Sequence, residues 1–291
     1  MFDAPASPYR ASGKGRFDLA SARTSPPSGA PGKDELERQL QVSVARIAKL
    51  QERFYATDQA ALLLVFQAMD AAGKDGTIKA VLSGVNPAGC QVSSFKAPSD
   101  QELDHDFLWR HGMCLPERGR IGVFNRSWYE EVLVVRVHPE YLDRQRLPWR
   151  AQGEELWEQR LESIADFERH LARNGTAVLK FFLHVGKDEQ YKRLEARIED
   201  PEKNWKVEPG DAAERRYWDE YQAAYTHAIG ATHTSWAPWY VIPADDKRYM
   251  RAEVARIVAE ALASLPLDPQ LDPATSTKLA EARRLLREER G

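Results

Sequence analysis

The chain has 291 residues, with 41 Lys and Arg against 44 Asp and Glu, so its formal net charge is −3 at pH 7. This balance excludes a protein coated in one sign of charge, such as a bulk nucleic-acid binder, but it permits a local basic channel. The hydrophobic share of 43% is typical of a globular protein. The length permits one large domain or two small ones.

Cysteine usage and hydropathy indicate the compartment. Only Cys90 and Cys114 occur, and neither has a further Cys or His at a metal-finger spacing, which excludes a disulfide scaffold and a zinc module. The longest apolar run, residues 62–66, is far shorter than the roughly 20 residues of a membrane helix. The first residues also lack the apolar core of a signal peptide. We therefore expect a cytoplasmic protein that binds neither membrane nor nucleic acid.

Apolar strands and amphipathic helices alternate along the chain. Residues 1–33 hold five of the 17 prolines and predict a flexible arm with little regular structure. Apolar runs predict strands, and three- or four-residue apolar spacing predicts helices. The predicted strands are 61–66, 91–95, 121–125, 177–185 and 238–242, and the predicted helices are 34–57, 77–82, 100–114, 157–173, 187–200, 211–229 and 250–265.

This alternation predicts one α/β domain over residues 34–265. Its parallel sheet is expected to be flanked by helices on both faces, which gives a three-layer sandwich. The remaining residues, 266–291, form a tail in which 278–290 has the pattern of a short charged helix. We expect that helix to pack on the surface or on a partner chain.

A loop of small residues between the first strand and the next helix is the sharpest functional signal. Such a loop lets backbone N–H groups face a phosphate at a helix N-terminus, and Lys74 is placed to reach the phosphoryl group being transferred. The usual G-x-x-x-x-G-K-[ST] pattern is broken twice. Ala68 takes the first Gly position, and Asp75 stands where a hydroxyl would hold magnesium. A tight turn with a surface lysine is the alternative.

Two further polar groups flank this loop. The carboxylate of Asp70 would repel a bound polyanion unless a cation lay between them, so we predict that Asp70 binds Mg²⁺ while Lys74 neutralises the transferred phosphoryl group. The third strand ends in Asn125-Arg126-Ser127, and Arg126 can offer its planar guanidinium to phosphate oxygens. The alternative for Arg126 is an ion pair with Glu130 at a helix start.

Four ordered motifs together resemble the polyphosphate kinase 2 family. They are DAAGKDG at 70–76, FNRSWYE at 124–130, DPEKNWK at 200–206 and APWY at 237–240. The resemblance runs from about Tyr55 to Leu265. It implies a P-loop kinase-like fold with a helical lid at about 187–212, and a Mg²⁺-dependent transfer of phosphoryl groups from inorganic polyphosphate to AMP and ADP, forming ADP and ATP. A homo-oligomer is also implied, and Asn125 with Glu130 resembles the branch that accepts both nucleotides.

The resemblance also implies roles for individual residues. Asp70, Lys74 and Arg126 are the expected catalytic residues, and Asp70 with Asn125 the expected magnesium ligands, Asn125 being the weaker. Lys96, Arg110 and Glu130 are expected at the acceptor nucleotide. The residues expected to bind phosphate or polyphosphate are Ala71, Ala72, Gly73, Asp75, Gly76 and Thr77 in the loop and Arg193, Arg197, Lys203 and Lys206 in the lid.

The lid helix has an alternative interpretation from its own pattern. Arg193 and Arg197 share one helix face, with acidic neighbours that permit a solvated helix laced with salt bridges. The same pattern predicts that Tyr191, Leu194 and Ile198 form its inward apolar face.

Two other functions remain compatible with the sequence. An ATP-dependent nucleotide or small-metabolite kinase could use the same loop, and it would need a pocket for the donor base, most naturally near residues 243–247. A non-catalytic phosphate-binding assembly protein would use the arm and the tail for partners. A polyphosphate enzyme instead needs an open basic tunnel.

Overall fold

The computed structural model describes residues 2–12, 17–202, 204, 209–268 and 273–289. A parallel sheet of five strands lies at its centre, in the order β2-β3-β1-β4-β5. The strands are β1 Ala61–Gln67, β2 Cys90–Ser94, β3 Ile121–Asn125, β4 Thr176–His184 and β5 Trp239–Pro243. All seven residues of β1 are buried, as expected for a central strand covered on both faces. The predicted parallel sheet is confirmed.

Helices connect and cover these strands. Their bounds are α1 Lys33–Thr57, α2 Lys74–Val81, α3 Asp100–Leu103, α4 Trp109–Gly112, α5 Val134–Val137, α6 Glu154–Arg173, α7 Lys187–Glu199, α8 Pro209–Glu214, α9 Trp218–Thr232, α10 Lys247–Ala263 and α11 Pro273–Glu288. α1, α2 and α10 pack together on one side of the sheet, while α6 and α9 pack on each other and α6 covers β4. The three-layer α/β sandwich is therefore confirmed.

The predicted helix over 100–114 is wrong, because two short helices replace it. A capping box between Ser99 and Glu102 starts α3, but the Asp106 side chain accepts a hydrogen bond from the backbone N–H of Leu108 at 2.9 Å. Such local side-chain bonds compete with the helical pattern. The chain consequently turns before α4 and leads into the loop that precedes β3.

The described part of the N-terminal arm lies against the edge strand β5. Ala11 N–H donates to Trp239 O at 2.9 Å and Val241 N–H donates to Tyr9 O at 2.8 Å, which gives one antiparallel bridge. Leu19, in a 3₁₀ turn over Leu19–Ser21, is fully buried. The arm thus contributes apolar residues to the core and covers a strand edge that would otherwise be open.

The tail is helical as predicted, in α11. Its described side chains, residues 276–289, are exposed, so the predicted packing of the tail on a partner chain stays a prediction. In the part of the chain that the structure describes, no helix has the length and apolar character needed to cross a membrane.

Candidate active site

The loop between β1 and α2 has the backbone of an anion-binding turn. Ala71 has φ 59° and Gly73 has φ 106°, both in the left-handed region. Glycine suits position 73 because an L side chain is strained at that φ. Left-handed turns of this kind create a concavity lined by N–H groups, and the N-terminus of α2 adds its positive dipole.

Lys74 begins α2 and turns back over the loop. Its Nζ donates to Ala68 O at 2.9 Å. Burial lowers the pKa of Lys74, and the neighbouring Arg126 lowers it further, while Asp70, Glu130 and Asp75 act in the opposite direction. The Lys74 ammonium therefore lies at the loop where the sequence predicts a phosphate-binding lysine.

Arg126 links the loop to the turn that follows β3. Its Nη2 lies 3.3 Å from Asp70 Oδ1 and its Nη1 lies 3.3 Å from Glu130 Oε2. The ion pair with Glu130 that the sequence offered as an alternative is thus present, together with a second pair to Asp70. The side chain keeps 41% of its surface exposed. A guanidinium between two carboxylates remains accessible to a phosphate.

Asn125 and Asp75 form a direct contact. Asn125 Nδ2 donates to Asp75 Oδ1 at 2.7 Å, so the carboxylate at the hydroxyl position of the usual motif is joined to the end of β3. Thr77 lies further along α2, where its hydroxyl donates to Gly73 O at 2.9 Å and is fully buried. Thr77 therefore stabilises the loop from within the helix.

Two clefts meet at Arg126 and Glu130, which line both. The first cleft has a volume of about 320 Å³ and is lined by Lys96, Pro98, Leu103, Arg110, Tyr141 and Arg144 among others. The second cleft has a volume of about 240 Å³ and contains Met69, Asp70, Gln190, Glu214, Tyr221 and Tyr225. This arrangement offers two binding spaces with a shared cationic group between them.

The three residues predicted at the acceptor nucleotide all line the first cleft. Arg110 Nη1 donates to Lys96 O at 2.8 Å, which fixes the loop after β2. Glu130 is held by Gln67 Nε2 at 3.0 Å as well as by Arg126. Sequence reasoning missed Gln67, although a polar residue at the end of a buried apolar strand was a signal that could have identified it.

The helix α7, which the sequence places in an expected lid, turns a different face inward from the one predicted. Gln190 and Arg193 are buried, whereas Tyr191 and Ile198 are 53% and 59% exposed. The predicted inward apolar face is therefore wrong for Tyr191 and Ile198, while Leu194 is half-buried. Arg193 lies behind the phosphate loop and donates to the carbonyls of that loop. Lys203 and Lys206 lie outside the described residues, and Arg197 lies on α7 at intermediate exposure.

The segment proposed for a donor-base pocket is occupied by the arm. Asp245 N–H donates to Thr24 O at 2.9 Å, and Ser25 Oγ donates to Asp245 Oδ2 at 2.7 Å. Asp245 Oδ1 also accepts from Gly186 N–H at 2.7 Å. These contacts disfavour the ATP-dependent kinase, since its donor base was expected near residues 243–247.

A parallel sheet with a small-residue loop, an ammonium and a guanidinium at the carboxyl ends of its strands defines a phosphoryl-transfer enzyme of the P-loop kinase-like class. The family model of polyphosphate kinase 2 (PPK2) matches residues 31–266. The chain belongs to this family, so the family, fold and enzyme class predicted from the sequence are confirmed.

Individual relatives agree with this assignment. An ADP-polyphosphate phosphotransferase from Rhodopseudomonas palustris is 52% identical over 87% of this chain and 89% of its own length. An AMP/ADP-polyphosphate phosphotransferase from Meiothermus ruber is 45% identical over 94% and 99%. A crystal structure of polyphosphate kinase 2 from Arthrobacter aurescens TC1 matches with a TM-score of 0.84 at 41% identity, covering 97% of this chain and 98% of that one.

Proposed function

We propose that the enzyme transfers phosphoryl groups from inorganic polyphosphate to AMP and ADP, forming ADP and ATP. The observation that carries the proposal is the position of Arg126, which lines both clefts beside the phosphate loop. The similarity to relatives named as ADP- and AMP/ADP-polyphosphate phosphotransferases supports the choice of substrates.

The reaction needs positioning and charge neutralisation rather than a covalent nucleophile. The loop N–H groups and Lys74 hold the terminal phosphates of the donor. The acceptor lies in the first cleft, where Lys96 and Arg110 face its phosphates. Arg126, between the two, stabilises the charge that spreads over the transferred group. An oxygen of the acceptor phosphate then attacks in line, and the shortened polyphosphate leaves.

Magnesium fits the residues at this site. In phosphoryl-transfer enzymes Mg²⁺ takes one or two carboxylates together with phosphate oxygens and water, so a complete protein cage is not required. The described residues accordingly contain no group of three His, Cys, Asp or Glu able to hold a metal. We propose Asp70 as the ligand and Asn125 as a weaker contact through water, because a neutral amide oxygen attracts the ion less than a carboxylate does. When bound, the ion offsets the charge of the phosphates.

The outer part of the donor site is proposed from the family resemblance. Arg197, Lys203 and Lys206 belong to the segment expected to clamp the polyphosphate chain. A homo-oligomer is likewise a proposal.

Purified protein given polyphosphate, Mg²⁺ and AMP is expected to form ADP and then ATP, measured by ion-exchange chromatography of the nucleotides. Omitting Mg²⁺ is expected to abolish both products. Transfer from ATP but not from polyphosphate would instead favour the ATP-dependent kinase. Absence of any product, with polyphosphate still bound in calorimetry, would favour the non-catalytic protein.

Lys96→Ala tests the assignment of the first cleft to the acceptor. We expect the KM for AMP and ADP to rise about 10-fold, which corresponds to the roughly 1.5 kcal/mol of one charge-assisted contact. The KM for polyphosphate should stay unchanged in the same assay. Lys49→Ala, on the exposed face of α1, is the matched control. A rise in the KM for polyphosphate instead would place the donor in the first cleft.

A further inference from the structure

Arg193 makes contacts that differ from those expected of a phosphate ligand. Its Nη1 donates to Ala72 O at 2.9 Å and to Ala71 O at 3.4 Å. Its Nη2 donates to Ala244 O at 2.6 Å and to Asp245 O at 2.9 Å. The guanidinium thus joins the phosphate loop to the junction between β5 and α10.

The number of N–H donors that Arg193 has left for a ligand distinguishes a phosphate-binding role from a role in positioning the loop. A guanidinium has five N–H groups in a fixed plane. Four are used by the loop and junction carbonyls, and the fifth, on Nε, donates to Glu189 Oε1 at 2.8 Å. With only 7% of the side chain exposed, every N–H has a protein acceptor. A phosphate could bind Arg193 only if these contacts were first broken.

The carbonyl contacts also determine where the loop amides point. In a planar trans peptide the C=O and N–H groups point in opposite directions. Holding Ala72 O against Arg193 therefore directs the N–H of Gly73 away from the guanidinium. The contact to Ala71 O adds support to a residue in the left-handed region, a conformation that is strained for an L residue.

The junction between β5 and α10, which Arg193 contacts on its other side, is held by further hydrogen bonds. The Asp245 side chain accepts from Gly186 N–H, which precedes α7, and from Ser25 Oγ of the arm. The guanidinium consequently stands between the loop and a junction that the arm holds in place.

We propose that Arg193 is a positioning residue, whose planar guanidinium sets the backbone of the phosphate loop, and not a ligand of polyphosphate. This inference rests on the proposed function. It predicts that what matters at position 193 is the shape of the donor group and not only its positive charge.

Arg193→Lys tests this, because it keeps the charge but loses the planar set of five donors. We expect kcat to fall up to about 100-fold, as for a displacement of about 1 Å at a reacting centre, with the KM for polyphosphate nearly unchanged. Near wild-type kcat with a raised KM for polyphosphate would show a direct ligand and overturn the proposal. Arg46→Lys, exposed on α1, is the control and should leave both parameters unchanged.

Chemical rescue gives a second, independent measurement. Arg193→Ala leaves a space lined by carbonyls, so millimolar guanidinium is expected to restore part of the lost kcat while ammonium at the same concentration does not. If guanidinium and ammonium restored kcat equally, the proposal would be overturned. It would also be overturned if neither ion restored kcat in a variant whose thermal midpoint matches that of the wild type. If Arg193→Ala does not fold, the KM and kcat of Arg193→Lys decide. Turnover of the wild-type protein with polyphosphate is measured in the same assay. No wild-type turnover would mean that the proposed function fails, whereas normal wild-type turnover leaves the variants to test the role of Arg193.

Discussion

Lys74→Ala is expected to lower kcat by about 10²–10³-fold, the loss seen when one preorganised donor is removed from a transition state. The Lys74 ammonium lies at the start of α2, hydrogen-bonded to Ala68 O. In the proposed function it is the loop residue that brings a full positive charge to the transferred group. Burial lowers the pKa of Lys74, so a bound polyanion gains a partner that is poorly hydrated. Single-turnover kinetics with polyphosphate and ADP measure the loss directly.

Lys79→Ala on the same helix supplies the control. Lys79 is exposed, one turn past the loop, and its removal should leave kcat within about twofold, as expected for a surface change that alters no site contact. Thermal unfolding should show similar midpoints for both variants, since Lys74 makes one backbone contact that water can replace. Retained turnover in Lys74→Ala would mean that the phosphoryl group is transferred elsewhere.

Four of the five strands were predictable because they are mainly apolar runs bounded by turn residues, whereas β2, Cys90–Ser94, is largely polar and exposed. β1 and β4 are buried along their whole length, and this is the pattern that apolar runs specify. The break between α3 and α4 was not predictable from periodicity, since it depends on the Asp106 carboxylate bonding to a nearby backbone N–H. A hydrogen bond from a polar side chain to the nearby backbone does not alter the spacing of apolar residues, so the spacing cannot reveal it.

The candidate site was predictable where its polar residues are close together in the sequence. The loop around Lys74 and the turn at Arg126 come from contiguous motifs, and the sheet brings them together because β1 and β3 are neighbours. The inward face of α7 could not be obtained in the same way. Apolar residues mark the inward face only where a helix packs on an apolar core, whereas α7 uses Gln190 and Arg193 to contact polar backbone.

The buried pair Lys180 and Glu168 was not identified from the sequence. Lys180 lies within a mainly apolar strand, and its partner is on a different element. Both side chains are fully buried. The Lys180 ammonium donates to Glu168 Oε2, to Thr232 O at 2.9 Å and to Tyr129 Oη at 3.0 Å. Glu168 Oε1 in turn accepts from Tyr129 Oη at 2.8 Å. The network thus holds the turn that carries Arg126 and Glu130 against β4 and α9.

Removing one charge of this pair is expected to destabilise the protein strongly. Burial lowers the pKa of Lys180 and raises the pKa of Glu168, while the attraction between the two groups opposes both shifts. Lys180→Met leaves a carboxylate without its counter-ion, and such changes cost about 3–5 kcal/mol. Urea unfolding at pH 7, followed by tryptophan fluorescence, measures the change in the free energy of unfolding.

The double variant Lys180→Met with Glu168→Leu decides whether charge is the cause. With both charges replaced by apolar groups of similar volume, most of the lost stability should return, because a buried ion pair contributes little over a packed apolar pair. The exposed pair Arg169 and Asp166 is the control, and Asp166→Asn should change the unfolding free energy by less than about 1 kcal/mol. If the double variant were as unstable as Lys180→Met, the hydrogen bonds that Lys180 donates to Tyr129 Oη and Thr232 O, rather than the paired charges, would hold this turn in place.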